Sequence, residues 1–479
     1  MKQLHIVLIP AMAQGHMIPM LEMAKLFTSR GIKTTIIATP AFAGPVTKSR
    51  QSGHDIGLSV TDFPPKGSSL PDHVASFDQI STPDLVTKFL RAMELLQGPV
   101  ETILQELQPN CVVSDMFLPW TADSAAKFGI PRLVFFGSSC FSRCLSEEME
   151  LQKPYKNVSS DSEPFVLGGL PHELNFVRSQ LPPFHLQEEE NDFKKLFSQI
   201  SESAKNTYGE VVNSFYELES AYLDHFKNVL GKKAWQIGPL LLCSNEAERK
   251  SQRGKESAID EHECLAWLDS KRPNSVVYVC FGSSATFTKA QLHETAAGLE
   301  ESGQDFIWVV RKGKDQENEL DLLPQGFEER VKGKGLIIRG WAPQLMILDH
   351  PAIGAFVTHS GWNSTLEGIC AGVPMITWPV FAEQFYNEKL VTEVLETGVS
   401  VGNKRWMRVA SEGVGRDAVV EAVEQIMLGG GAAEMRRRAK YYKEMARKAI
   451  EEGGSSYNSL NALMEELSTY VHPTKHNIN

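Results

Sequence analysis

Residues 356–374 read FVTHSGWNSTLEGICAGVP. The stretch starts apolar, turns polar and glycine-rich at His359, and ends apolar. The apolar run 355–358 predicts a strand, and 364–371 predicts a helix. The polar residues therefore fall where a strand ends and a helix begins. A helix start presents unpaired N–H groups and a partial positive charge, which suits a phosphate. Gly361 lets the backbone come close to a ligand, and His359, Asn363 and Ser364 can add hydrogen bonds. Ser364 and Glu367 also match a capping box, which would need no ligand.

Working outward, short apolar runs alternate with amphipathic stretches. Residues 5–9, 33–38, 111–114 and 133–136 predict buried strands in the first half, with a turn at 11–15 and a helix around 18–29. Residues 275–281, 306–311, 335–339, 355–358 and 375–378 repeat the pattern in the second. This β–α–β rhythm predicts two α/β, Rossmann-like, doubly wound domains facing a cleft at the carboxyl ends of their strands. Residues 243–263, CSNEAERKSQRGKESAIDEHE, are charged and lack periodicity, and predict an exposed linker. The division expected is a first domain over 1–242, a linker over 243–263, a second domain over 264–455, and a helix and tail over 456–479 returning to the first domain. A long helical pattern covers 434–469.

Composition limits the function. Lys and Arg number 48 against 59 Asp and Glu, a formal charge of −11. A general nucleic-acid binder needs a basic footprint, so that class is set aside. Seven cysteines occur singly, without a CxxC pair, as expected of free thiols in a reducing compartment. The first apolar run is broken by Pro10 and is short for a signal peptide, and no apolar run is long enough to span a membrane. A cytoplasmic, monomeric protein is expected, and the sequons at Asn157 and Asn363 are discounted on that ground. The first strand is followed by AMAQGH rather than GxGxxG, and GxxxxGK[ST] is missing, so a dinucleotide or Walker-type fingerprint is not present.

From Trp341 to Gln384 the chain reads WAPQLMILDHPAIGAFVTHSGWNSTLEGICAGVPMITWPVFAEQ. This closely resembles the signature box of plant family 1 UDP-dependent glycosyltransferases. The opening IPAMAQGHMIP, SDMFLPW at 114–120 and CFGSSA at 280–285 resemble the same family, in the same order. AQGHMIPM and FAEQFYNEKL look most like the branch acting on flavonoids and triterpenoid-type aglycones.

The resemblance implies the GT-B architecture, a UDP-sugar donor and a small lipophilic acceptor. It implies that Trp341 stacks on uracil, that Ala342 offers backbone groups to the base, and that Gln344 reaches base or ribose. Glu367 would accept the ribose hydroxyls, and Ser283, His359, Asn363 and Ser364 would meet the diphosphate. Trp362, Glu383 and Gln384 would lie on the sugar side. Many members carry Asp where this chain has Glu383, and Gln384 leans towards UDP-glucose. A lone His near Gly is more often a turn or packing residue. With the resemblance, His16 becomes the general base and Asp115 the carboxylate that orients it. Ser138 would reach the sugar's primary hydroxyl, and Met12, Phe117, Leu118 and Phe141 would wall the acceptor pocket. No D-x-D and no metal-ligand spacing occur, so no metal is expected and UDP-glucose is a co-substrate. The expected reaction is an inverting O-glucosyl transfer giving a β-glucoside, on a flavonoid or other phenolic or on a triterpenoid or steroid. A non-catalytic UDP-sugar-binding module and a nicotinamide-dependent oxidoreductase are the alternatives from other classes.

Overall fold

Every residue of the first strand, β1 (His5–Ile9), is buried, so both of its faces are covered, as in a parallel sheet sandwiched by helices. The computed structural model describes residues 3–80, 82–186, 191–243, 257–311, 322–411 and 413–470. After β1 come β2 (Lys33–Ala38), β3 (Ile56–Val60), β4 (Cys111–Asp115) and β5 (Arg132–Phe135). An antiparallel hairpin, β6 (Pro164–Leu167) and β7 (Leu174–Val177), then precedes β8 (Gly209–Val212) and β9 (Ala234–Gln236). The first sheet is parallel with order β3-β2-β1-β4-β5-β8-β9. The chain reverses its winding between β1 and β4, where Ile9 lies beside Ser114.

The second half supplies β10 (Val276–Cys280), β11 (Thr286–Phe287), β12 (Asp305–Val310), β13 (Gly335–Arg339), β14 (Ile353–Thr358), β15 (Met375–Thr377), β16 (Gly398–Ser400) and β17 (Val409–Ala410). Its sheet is parallel with order β13-β12-β10-β14-β15-β16, and the reversal falls between β10 and β14. Such reversals open a crevice at the strand ends, where α/β sheets take ligands. Along β10, Val277 and Val279 join one apolar cluster and Val276 and Tyr278 another, because successive side chains point to opposite faces.

Two sequence expectations change. The first helix runs Gln14–Ser29, not from 18, so His16 sits in its first turn. The pattern over 434–469 is two helices, Ala432–Ile450 and Ser455–Thr469. Gly453 breaks it with φ +85°, and a Cβ on Gly454 would collide with the Lys448 carbonyl. The last helix lays Leu460, Leu463 and Leu467 into the apolar cluster of the first sheet. Glu466 there accepts from Tyr208 and pairs with Lys233. Residues 244–256 of the expected linker and the tail 471–479 lie outside the described residues. Among the described residues no helix is long and apolar enough to cross a membrane.

Candidate active site

His16 follows β1 and Asp115 ends β4, so the winding reversal of the first sheet brings them together. His16 Nδ1 lies 2.6 Å from Asp115 Oδ2. Asp115 is fully buried, and its Oδ1 accepts from the Phe117 N–H at 3.0 Å. With Nδ1–H donated to Asp115, Nε2 is left as the proton acceptor. Burial pulls the His16 pKa down, but the charge and hydrogen bond of Asp115, with Glu383 beyond, outweigh it, and the net shift is upward.

A cleft of about 2210 Å³ is lined by His16, with Asp115 buried behind it, and by residues at the strand ends of both sheets. Ligand pockets for one small molecule run to roughly 300–1,000 Å³, so two substrates fit together. Ser283, Trp341, Ala342, Gln344, His359, Trp362, Asn363, Ser364, Glu367, Glu383 and Gln384 all line it, as do Ser138, Met12 and Phe117.

The strand-to-helix junction differs from a capping box. The helix is Trp362–Ala371, its N-cap is Gly361, and no side chain caps it. Ser364 therefore lies inside the helix, and the reading of Ser364 and Glu367 as a capping box is corrected. Glu367 instead accepts from Gln344 Nε2 at 2.5 Å, while the same nitrogen reaches Ser364 Oγ at 3.3 Å. Tyr278 donates its hydroxyl to Gln344 Oε1 at 3.2 Å. This network fixes a carboxylate at the cleft wall. Gly282 has φ +70°, and a Cβ there would come within 2.7 Å of His359 Nε2, so glycine lets two strand-end loops approach. His359 is pulled down to about 4 by burial and then by the charge of Arg311, and its imidazole is neutral at neutral pH.

Two side chains of the box are engaged across the domains. Trp362 is 2% exposed and donates Nε1–H to the Asn213 carbonyl at 2.8 Å, so its indole N–H ties the second domain to the first. Asn363 donates Nδ2–H to the Gly15 carbonyl at 2.7 Å. Gln384 uses its oxygen to accept from Val380 and Phe381 N–H, which leaves its NH₂ end as a donor. Burial raises the Glu383 carboxyl pKa, against opposing hydrogen bonds from backbone N–H groups and Asn387.

The acceptor wall is only partly as expected. Phe117 lies 5.3 Å from the His16 ring and stacks on Phe77. Leu118 and Phe141 do not face the cleft: they are 1% and 0% exposed. Leu118 packs under the first sheet, and Phe141 packs against Tyr222 at 4.5 Å. The helix Cys140–Gln152 turns Ser142, Arg143 and Ser146 to the cleft instead. Sequence reasoning missed Phe77, Phe193, Phe197, Arg311 and Arg408. Arg311 carried a signal, a cation as the last residue of a predicted strand; Phe77 sits in a short helical turn, and Phe193 and Phe197 sit one turn apart on the helix Asp192–Lys205. Six of the seven free cysteines are buried. Among the described residues no group of three or more His, Cys, Asp or Glu could hold a metal ion.

This arrangement pairs a buried carboxylate–imidazole base with a phosphate-ready junction across one cleft. A family model described as UDP-glucoronosyl and UDP-glucosyl transferase matches residues 5–427. The chain belongs to that family. The transferase is 56% identical over 474 residues to a scopoletin glucosyltransferase of Nicotiana tabacum, covering 98% of this chain and 99% of the relative. It is 53% identical over 481 residues to an anthocyanin 3'-O-beta-glucosyltransferase of Gentiana triflora, covering 98% and 100%. Among solved structures it resembles Glycyrrhiza uralensis UGT73P12 complexed with glycyrrhetinic acid 3-O-monoglucuronide, with a TM-score of 0.90, 40% identity, and 98% and 96% coverage. Phytolacca americana UGT2, complexed with UDP-2fluoro-glucose and pterostilbene, matches with a TM-score of 0.77 at 26% identity, covering 97% and 100%. The two-domain α/β architecture is GT-B, and the enzyme is a UDP-sugar-dependent glycosyltransferase. That membership sets aside the nicotinamide-dependent oxidoreductase.

Proposed function

We propose that this enzyme transfers glucose from UDP-glucose to a hydroxyl of a flavonoid or other small phenolic, with inversion, to give a β-glucoside. The single observation that carries the reading is His16, backed by Asp115 at 2.6 Å and opening onto the same cleft as the nucleotide box. His16 Nε2 takes the acceptor's proton as its oxygen attacks the anomeric carbon. Asp115 holds the tautomer and stabilises the imidazolium. UDP leaves towards the positive end of the helix Trp362–Ala371 and the side chains of Ser283 and His359.

Trp341 takes the uracil, with Ala342 and Gln344 at its edge, and Glu367 takes the ribose hydroxyls. Glu383 and the NH₂ of Gln384 take the sugar, with Ser138 on its opposite side. The scopoletin and anthocyanin specificities of the two relatives favour a phenolic acceptor. A triterpenoid acceptor is the second reading, favoured by the size of the cleft and by the likeness to a protein complexed with a glycyrrhetinic acid glucuronide.

The domain division over 1–242, 243–263, 264–455 and 456–479 is supported by the two sheets and by the last helix on the first core. A monomer suffices, because one chain carries the base and both substrate walls. Cysteines outside any disulfide favour the cytoplasm, and transfer needs no metal in this reading. Purified protein with UDP-glucose and a panel of flavonoids, simple phenols and triterpenoids tests the function by mass spectrometry. A gain of one hexose, lost in His16→Ala, is the expected result. No product from any acceptor, with tight UDP binding, would favour a non-catalytic binding module.

A further inference from the structure

The nucleotide side of the cleft contains a cation that no motif marks. Arg311 follows β12, and its Nε is buried with no hydrogen-bond partner. Among the described residues it makes no ion pair. Its Cζ lies 5.4 Å from the centre of the Trp341 ring. Its charge is felt at Cys280, which ends β10, and at His359, which follows β14. Arg311 lines the cleft together with Cys280 and His359, at the ends of neighbouring strands beside the crevice where the second sheet reverses its winding. Among the described residues, Arg408 is the other Lys or Arg that the second domain gives to the cleft. It stacks over Phe77 and Phe193 on the acceptor side.

Arg311 is half-buried at the cleft wall, and a guanidinium whose buried Nε has no partner leaves part of its charge uncompensated. One held in a ligand cleft is a waiting partner for an anion. Its planar fork matches phosphate oxygens in a way that neutral N–H and hydroxyl donors do not. We propose that Arg311 is the cation that pairs with the diphosphate of the UDP-sugar and of the departing UDP. The inference rests on the UDP-sugar reading of the donor. In the transfer, the acceptor oxygen bonds to the anomeric carbon and its proton passes to His16. The bond from that carbon to the β-phosphate oxygen breaks, and its electron pair stays on the oxygen. The diphosphate thus gains one negative charge as it leaves, and Arg311 meets that charge.

The test compares UDP with uridine, which keeps the base and ribose but lacks phosphate. Calorimetric titrations would use wild type, Arg311→Gln and Arg311→Lys, each checked by circular dichroism. Arg311→Gln is expected to lose tenfold or more in UDP affinity with uridine affinity within twofold, and Arg311→Lys to keep most of the UDP affinity. Equal loss for both ligands, or no loss for UDP, would overturn the proposal. If Arg311→Gln does not fold, phenylglyoxal labelling of the wild-type enzyme decides. UDP should protect the Arg311 peptide and uridine should not; equal protection, or none, would overturn it. Failure of wild type to bind UDP would instead sink the donor reading.

Discussion

Asn363 of the second domain donates its side-chain amide to the carbonyl of Gly15 in the first, 2.7 Å away across 348 positions of chain. The reason that carbonyl is available lies in the first helix. Gly15 would ordinarily accept from the N–H four residues on, but that residue is Pro19, which has none. The freed carbonyl sits directly before His16, so the second domain grips the turn that carries His16.

Asn363→Ala should lower kcat/KM about tenfold, because a half-buried carbonyl loses its donor, at a cost of ~1 kcal/mol, and His16 loses its brace. Pro19→Ala should lower it by a smaller factor, since a new N–H at 19 competes for the same carbonyl. Steady-state kinetics check both, and a Pro19→Ala variant at or above wild-type rate would contradict the brace.

The raised His16 pKa fixes the sign of the pH dependence. The base works only when neutral, so kcat/KM should fall as pH drops through a pKa above 6.5. Asp115→Asn removes the charge that holds the pKa up and leaves burial to lower it. The acid limb should move to lower pH while the rate falls by ~10²–10⁴-fold. A limb that stays in place would show that another group titrates.

Glu367 is held by Gln344 and does not cap its helix. Glu367→Ala should therefore weaken UDP binding by tenfold or more with little change in melting temperature. Calorimetry and thermal melts separate the two, and intact affinity would remove the ribose role.

Gly282→Ala places a methyl against His359 at φ +70°. A left-handed non-glycine residue costs ~1–2 kcal/mol, and the imidazole must also move. Stability should fall by about that amount and the KM for UDP-glucose should rise. An unchanged KM would mean that His359 does not serve the donor.

EDTA should leave the initial rate within error. A large loss restored by Mg²⁺ would require a metal in the transfer step.

The strands and the two-domain plan were legible because buried parallel strands are continuous apolar runs, and β1 and β10 are buried at every residue. His16 and Asp115 were legible through the family resemblance; in the structure Asp115 ends β4 and His16 lies in the first turn of the helix that follows β1. Leu118 and Phe141 misled because apolar residues beside a motif look alike in sequence, while helix phase decides which way they point. The tasks of Trp362 and Asn363 were hidden for a different reason. Their partners, Asn213 and Gly15, use main-chain carbonyls, which leave no trace in residue identity. Phe77 lies in the short helical turn Phe77–Gln79, which is too brief for a periodic pattern, while Phe193 lies on the helix Asp192–Lys205, whose period marks an apolar face but not the cleft it turns to.

The last helix, Ser455–Thr469, rests on the first core although it follows the second domain in sequence. The donor-binding half is thus an insert held at both ends, and the chain crosses between the halves twice. Grafting a relative's donor half onto this acceptor half needs two matched junctions. A chimera cut only at the linker would import a foreign closing helix against Trp235 and Leu240, and misfit there would masquerade as lost donor specificity.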